Sequence, residues 1–314
     1  MGRAASADYP QRVAAMNALA EADPPSIADD VCALPLVRRL AAMLDRDPGA
    51  LRQGDALPRG WHAAFFNLPT RQSQLRSDGV ASFGVMLPEP GLPRLMLAGR
   101  QCRFAGSLPI GAALRRESRQ SEVQIKQGRS GRFALLKVEH RIFVDGAADA
   151  AVIEQLDYVL REAVSVPAAQ TGNATAAPAL PAAPPATASE ATAMASASPS
   201  PPADASRTLT PDERLLFRYS AITDNPHRIH YDQPYATGSE GYPALVVNGS
   251  IPAMFLLDMF RACAGREPDT FQSRNVAPMF CGHTLHLQVR REEASWHLWA
   301  VNDQGHIAFD ARAT

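Results

Sequence analysis

The densest chemistry in this 314-residue chain lies between Asp224 and Asp232. Asp224, Asn225, His227, Arg228, His230 and Asp232 fall within nine consecutive positions. A run so rich in acids, amide and imidazoles is costly to bury without partners. It also carries the side chains that move water and protons, because an imidazole of ordinary pKa ~6.5 gives or takes a proton at neutral pH. Pro226 places the run in a loop, so His227 and His230 do not stack on one helical face. With no third ligand beside them, no metal is expected. Asp232 reads most simply as a loop cap, and Arg228 as an ion-pair partner or a binder of phosphate or carboxylate. His283 and His286 read as surface or ladder residues at a strand start.

The element that must position this run follows it. Glu240-Gly-Tyr-Pro-Ala-Leu-Val-Val-Asn-Gly249 leads into Ser250–Ala262, a segment apolar nearly all round. Such a segment reads as a helix buried in a sheet rather than lying on a surface, with Gly265 as its C-terminal cap. Gly249 then stands where backbone N–H groups are unpaired within the helix and aligned with its dipole. Alternating, strand-like residues occur at Ala113–Lys126, Phe133–Phe143, Ala151–Leu160, His286–Arg291, Trp296–Val301 and His306–Ala311. Asn302–Gly305 reads as the turn between the last two. Gly128-Arg-Ser-Gly131 is too short to cradle a phosphate and reads as a hairpin turn. No serine sits in a nucleophile elbow.

The two ends of the chain look like degenerate copies of one unit, each with an Arg, then Phe-x-Gly (Phe104/Gly106 and Phe280/Gly282), then strands. Long strands behind one apolar helix predict an α+β architecture. Ala28–Leu44 has helical spacing and predicts an amphipathic helix. Trp61–Asn67 is the only short helical candidate opposite the second half's long one. Between the halves, Val166 to about Ser206 is almost wholly Ala, Pro, Ser and Thr and predicts a disordered linker. The expected division is 1–163, a linker at 164–207, and 208–314.

Composition bounds the rest. The chain is 46% apolar and 20% charged, with a formal net charge of -1, so there is no electrostatic case for nucleic acid or an anionic membrane. Cys32, Cys102, Cys263 and Cys281 have no metal-like spacing and read as free thiols of a reducing cytosol. No secretory signal or membrane span is expected.

The two runs, with Leu44-Asp-Arg-Asp-Pro48, Leu57-Pro58, Trp61-His62 and Leu92-Pro-Arg-Leu-Met-Leu-Ala-Gly99 upstream, resemble the MaoC-like hot-dog dehydratases and hydratases. Within them, the chain looks like the fused, two-hot-dog branch of mesaconyl-C4-CoA, 3-methylfumaryl-CoA and itaconyl-CoA hydratases. The resemblance implies a double hot dog, two antiparallel sheets each wrapped on a central helix, with the first half a degenerate scaffold. It implies a cytoplasmic, cofactor-independent hydro-lyase acting on a short, branched acyl-CoA. By that resemblance His230 carries the proton. Asn225 takes the water-positioning place where the broad family has Asp, with Asp224 as competitor. Gly249 N–H holds the thioester oxygen, and Asn248 stands where most members have His. Arg228, Tyr231, Asn248, Arg94 and Arg100 are the expected substrate-binding residues, the last two for a dicarboxylic acyl group. Three alternatives stay open: a hot-dog thioesterase using Asp224, a polyketide or carrier-protein dehydratase, and a non-catalytic acyl-thioester-binding module. A homodimer also stays open, although the fused half can supply the partner internally.

Overall fold

A computed structural model describes residues 24–67, 69–80, 92, 94–128, 131–162 and 202–314. Most of the expected linker lies outside the described residues. So do positions 129 and 130, the centre of the turn expected at Gly128–Gly131. The strands on either side end at Gly128 and resume at Gly131.

The first half contributes β1 (Ser26–Val31), α1 (Leu34–Met43), β2 (Arg94–Phe104), β3 (Ala113–Gly128), β4 (Gly131–Val144) and β5 (Val152–Arg161). The second contributes β6 (Ala205–Leu209), α2 (Glu213–Ile222), α3 (Gln233–Gly238), α4 (Ser250–Ala264), β7 (Thr270–Asn275), β8 (Leu285–Arg291), β9 (Trp296–Val301) and β10 (Ile307–Ala313). All ten strands form one antiparallel sheet in the order β1-β3-β4-β5-β2-β7-β10-β9-β8-β6. Read inward from each edge, the first half runs β1-β3-β4-β5-β2 and the second β6-β8-β9-β10-β7. The two orders are the same, and the halves join where β2 pairs with β7, Arg100 opposite Ser273.

This corrects the expectation of two sheets, each on its own helix. The sheet is continuous, and among the described residues only α4 is a long central helix. Nine of the fifteen α4 residues are buried, Ser250 to Leu257 and Phe260, as the apolarity of that stretch requires. Leu256, Leu257 and Phe260 are at most 1% exposed, and burial of each such side chain is worth ~1.5–3 kcal/mol. Gly265 closes the helix in the left-handed region at φ 67°, as expected of a C-terminal cap.

The helix expected over Ala28–Leu44 is divided. Ser26–Val31 is an edge strand on β3, and α1 starts only at Leu34, where Pro35 sits in its first turn. Proline suits that position because its missing N–H would be unpaired there. Val31, counted into the helical face, is about half exposed on the strand, as is Ile27. At the other end, β6 opens at Ala205, inside the stretch whose composition predicted linker.

The internal repeat exists in the strand order, but its sequence alignment needs a shift. Val246 bridges Phe280, and Gly282 follows at φ 80°. The equivalent bridge in the first half is Ala56 to Pro109, with Gly111 at φ 94°. Pro109-Ile110-Gly111, not Phe104-x-Gly106, is therefore the counterpart of Phe280-x-Gly282. By the same register Leu57 N–H bonds Leu108 O as Val247 N–H bonds Met279 O. Two residues on, Arg59 stands where the second half has Gly249. The single 3-10 turn Trp61–Ala64 then occupies the place of α4.

Candidate active site

His230 is 7% exposed, at the end of a 3-10 turn, Arg228–His230. Its Nδ1 lies 2.7 Å from Val246 O. A carbonyl only accepts, so Nδ1 carries the proton and Nε2 keeps its lone pair. Burial pushes the His230 pKa down, more than offsetting the Val246 carbonyl, which favours the charged ring. The imidazole therefore stays a neutral base to lower pH than usual. His227 packs edge-on against it, ring centroids 5.4 Å apart. Burial and then His230 push His227 down to about 3, so His227 is a neutral neighbour rather than a second proton carrier at pH 7.

Asn225 and Asp224 are not interchangeable in this loop. Asp224 is exposed, at φ 43°, on the turn that ends α2. Asn225 is half-buried, and its Oδ1 accepts from His227 N–H at 3.1 Å. That bond turns the amide so that Nδ2 is left to hold another acceptor, such as water. Asp232 caps α3 through Tyr235 N–H at 3.1 Å, as its reading as a cap predicted. Its other oxygen takes Arg228 Nη2 at 2.7 Å. Arg228 also reaches Ser77 O and lies 4.1 Å over Tyr235, so its guanidinium ties the loop together. Tyr231 is 52% exposed with its hydroxyl on Pro226 O.

The start of α4 holds the residues expected to bind the thioester oxygen. Asn248 Oδ1 accepts from Ser250 N–H at 2.9 Å, an Asx turn that leads into the helix. Gly249 N–H donates to no group among the described residues. A Cβ on Gly249 would come 2.4 Å from Asn275 Oδ1, so the chain passes tightly against β7 there. In the first half the equivalent N–H, that of Arg59, is taken by Glu267 Oε2 at 3.1 Å. A cavity of about 200 Å³ opens there beside Leu57, Arg59, His62 and Phe104. It is the repeat's counterpart of the site, with an internal carboxylate on its amide.

The first half braces the loop directly. Arg228 N–H bonds Asp78 O at 2.8 Å. Gly79 has φ +86°, and a Cβ on it would lie 2.0 Å from Pro226 O. Both the conformation and the contact exclude a side chain. Gly79→Ala is expected to destabilise the fold by at least ~1 kcal/mol and to lower turnover by displacing Pro226–His230. Thermal unfolding and steady-state rates check this, and wild-type values for both would remove Gly79 from the brace.

Of the two expected arginines, Arg94 is committed to Glu240 at 2.6 Å and lies over Tyr242. Arg100 belongs to a buried network that sequence reasoning did not find. His62 Nε2 lies 3.2 Å and Cys102 Sγ 3.6 Å from Glu154 Oε1, with Arg100 Nε 3.1 Å from the same oxygen. Burial alone would raise the Glu154 pKa, but Arg100 and His62 more than reverse this and hold it well below the usual carboxylate range. The signal lay in the strand alternation. His140 interrupts Ala134, Leu136, Val138 and Ile142, and Glu154 interrupts Val152, Leu156 and Leu160, all inward positions. The ligand atoms of His62, Cys102 and Glu154 lie within 4.8 Å of one another, close enough for a divalent ion. Arg100 sets a positive charge against the shared carboxylate, so the group reads as an ion-pair network.

The sheet packed on one buried helix thus holds a neutral imidazole and, at the helix start, an amide open to a ligand. Residues 60–281 match the hydroxyacyl-thioester dehydratase type 2 family, and the chain belongs to it. It is 36% identical over 286 residues to mesaconyl-C(4)-CoA hydratase of Chloroflexus aurantiacus, across 91% of this chain and 92% of that one. Its fold is shared with a MaoC-like dehydratase of Phytophthora capsici (TM-score 0.63, 14% identity, 93% of this chain and 96% of that one). It is also shared with HtdX of Mycobacterium tuberculosis (TM-score 0.58, 15% identity, 91% and 98%). Among the described residues no helix is long and apolar enough to cross a membrane.

Proposed function

We propose that the chain reversibly hydrates the C=C bond of a short, branched, dicarboxylic enoyl-CoA of the mesaconyl-C4, itaconyl or 3-methylfumaryl type. The observation that carries this is the His230 imidazole, whose Nδ1 is fixed on Val246 O so that Nε2 is the free base. Identity with the mesaconyl-C(4)-CoA hydratase along nearly the whole chain supports the substrate class.

In this reading Asn225 Nδ2 and His230 Nε2 hold the water. Its oxygen bonds to the β-carbon as Nε2 takes its proton. The π electrons move toward the thioester oxygen, where Gly249 N–H and the α4 dipole stabilise the enolate. Return of a proton to the α-carbon completes the addition, and the reverse sequence is dehydration. No cofactor enters. The cytosol is the expected compartment for a CoA thioester enzyme with four free cysteines. The thioesterase reading asks for a carboxylate at the water, and Asp224 is exposed on its turn.

Incubation with crotonyl-, mesaconyl-C4- (that is, 3-methylfumaryl-) and itaconyl-CoA, followed by mass analysis, tests the proposal. The expected product is one water heavier on a dicarboxylic member. Release of free CoA with the double bond intact would replace the hydratase by a thioesterase, and no product from any of the three would sink the substrate class.

A further inference from the structure

The cavity beside the 3-10 turn Trp61–Ala64 plays no part in the chemistry assigned to the second half. It holds about 200 Å³. Leu57, Phe104 and Val152 give it apolar walls, and Arg59, His62 and Glu267 supply its polar groups. Ser107, also on the wall, is exposed, so the cavity reaches solvent.

Two of the three polar groups are already neutralised within the chain. Glu267 accepts from Arg59 N–H at 3.1 Å and from Arg261 Nε at 2.9 Å. The Arg59 guanidinium donates to Pro268 O and to Asp269 Oδ1, each at 2.9 Å, and lies 5.6 Å over the Phe104 ring. Neither charge is left for a ligand to match. The amide that stands in the place of Gly249 is taken as well. A site with no free donor for a developing oxyanion binds rather than reacts.

His62 is the exception. Its ring is 5.7 Å from that of Phe104 and edge-on to it, and its Nε2 lies 3.2 Å from Glu154 Oε1. Glu154 belongs to a buried row across the sheet, with Ser118 opposite His140, His140 opposite Glu154 and Glu154 opposite Cys102. Arg100, 3.1 Å from the same oxygen, helps to hold the carboxylate ionised against its burial. An ionised carboxylate only accepts, so Nε2 carries the proton. Nδ1 is then the open nitrogen, with no hydrogen bond among the described residues. The arrangement is the reverse of His230, where Nδ1 is fixed on a carbonyl.

In the neutral ring Nδ1 is an acceptor. An apolar cavity with one open acceptor suits an uncharged ligand that carries a hydroxyl. A charged ligand is disfavoured, because a buried charge without a partner costs far more than a buried hydroxyl that has one. Volume sets the size. An apolar cavity of ~150 Å³ takes up benzene, so about 200 Å³ has room for such a ring with its hydroxyl.

We propose that this cavity is a second binding site, separate from the candidate active site, for a small uncharged alcohol or phenol whose O–H donates to His62 Nδ1. Glu154 is the positioning residue, since its bond to Nε2 fixes which nitrogen is open. The inference does not depend on the hydratase reading.

Calorimetric titration of the full chain with phenol, benzene and benzoate tests it. Phenol is expected to bind about tenfold more tightly than benzene, the worth of one added hydrogen bond, and benzoate not to bind. His62→Phe should bring phenol down to the affinity of benzene. Val152→Phe fills the cavity, leaves His62 in place and should abolish binding of both. Overhauser contacts from bound phenol to the Val152 methyl groups place it in the wild-type chain without any substitution. The site is overturned by an absence of saturable phenol binding, by equal affinities for phenol and benzene, or by benzoate binding as tightly as phenol. Contacts elsewhere, or a phenol affinity unchanged in both variants, overturn it too.

Discussion

His230→Gln is expected to lower turnover by at least ~10²-fold, the usual contribution of a positioned general base. The expectation rests on tautomer as much as on position. The Val246 carbonyl at 2.7 Å commits Nδ1 to donating, so Nε2 is the nitrogen left to take a proton. Only the neutral ring can act, and burial lowers the His230 pKa. A lowered pKa keeps the base form present to lower pH. The acid limb of kcat/KM in wild type should therefore fall below the ordinary imidazole value of ~6.5, not above it, and should vanish in the variant's residual activity. Rates measured from pH 4.5 to 9, with melting temperatures to confirm folding, decide the matter. A fully active variant would remove His230 from the chemistry, and an acid limb above pH 7 would contradict a buried, neutral base.

Gly249→Ala is expected to cost on the order of 100-fold in kcat, the scale of one lost oxyanion donor. The backbone itself tolerates alanine, since φ is -61° and ψ -17°. The obstacle is Asn275, whose Oδ1 and Nδ2 would lie 2.4 and 2.7 Å from the new Cβ. Its Nδ2 is bonded to Leu97 O at 2.8 Å, so the amide cannot turn aside without losing that bond. The strain must then move the start of α4, and with it the open N–H. The double variant Gly249→Ala, Asn275→Ala removes the obstacle and should recover part of the rate. If the single variant is already at wild-type rate, the amide is not where the thioester oxygen binds. If the double variant recovers nothing, crowding against Asn275 is not the cause.

Local patterns in the sequence were enough for the elements that depend on local composition. The all-round apolarity of Ser250–Ala262 can only be satisfied inside a sheet, and α4 is there with its cap at Gly265. The strands after Ala113 followed from alternation, because side chains of a strand point to opposite faces whatever its partners are. The loop chemistry at 224–232 was legible because polar residues that dense need partners. Asp232 has the capping role its type suggests, and the structure supplies what the sequence left open about its neighbours, an exposed Asp224 beside a half-buried Asn225.

Only the tertiary structure decided the rest. The join of the two halves into one sheet depends on β2 meeting β7, a pairing between segments more than 160 positions apart that no local pattern encodes. Ala28–Val31 read as helix because Val31 continues the spacing of α1; the pairing of Ser26–Val31 with β3 is what makes it a strand. The equivalence of the halves had to be read from backbone bridges, since Arg59 and Gly249 share a place in the fold and nothing in side-chain type. The row from Ser118 through His140 and Glu154 to Cys102 comes from four strands, and each member alone looks like a stray polar residue. Registration of those strands places the charges side by side in a low-dielectric interior, where Glu154 stays ionised through Arg100 and His62 beside it, a pairing stronger there than in water.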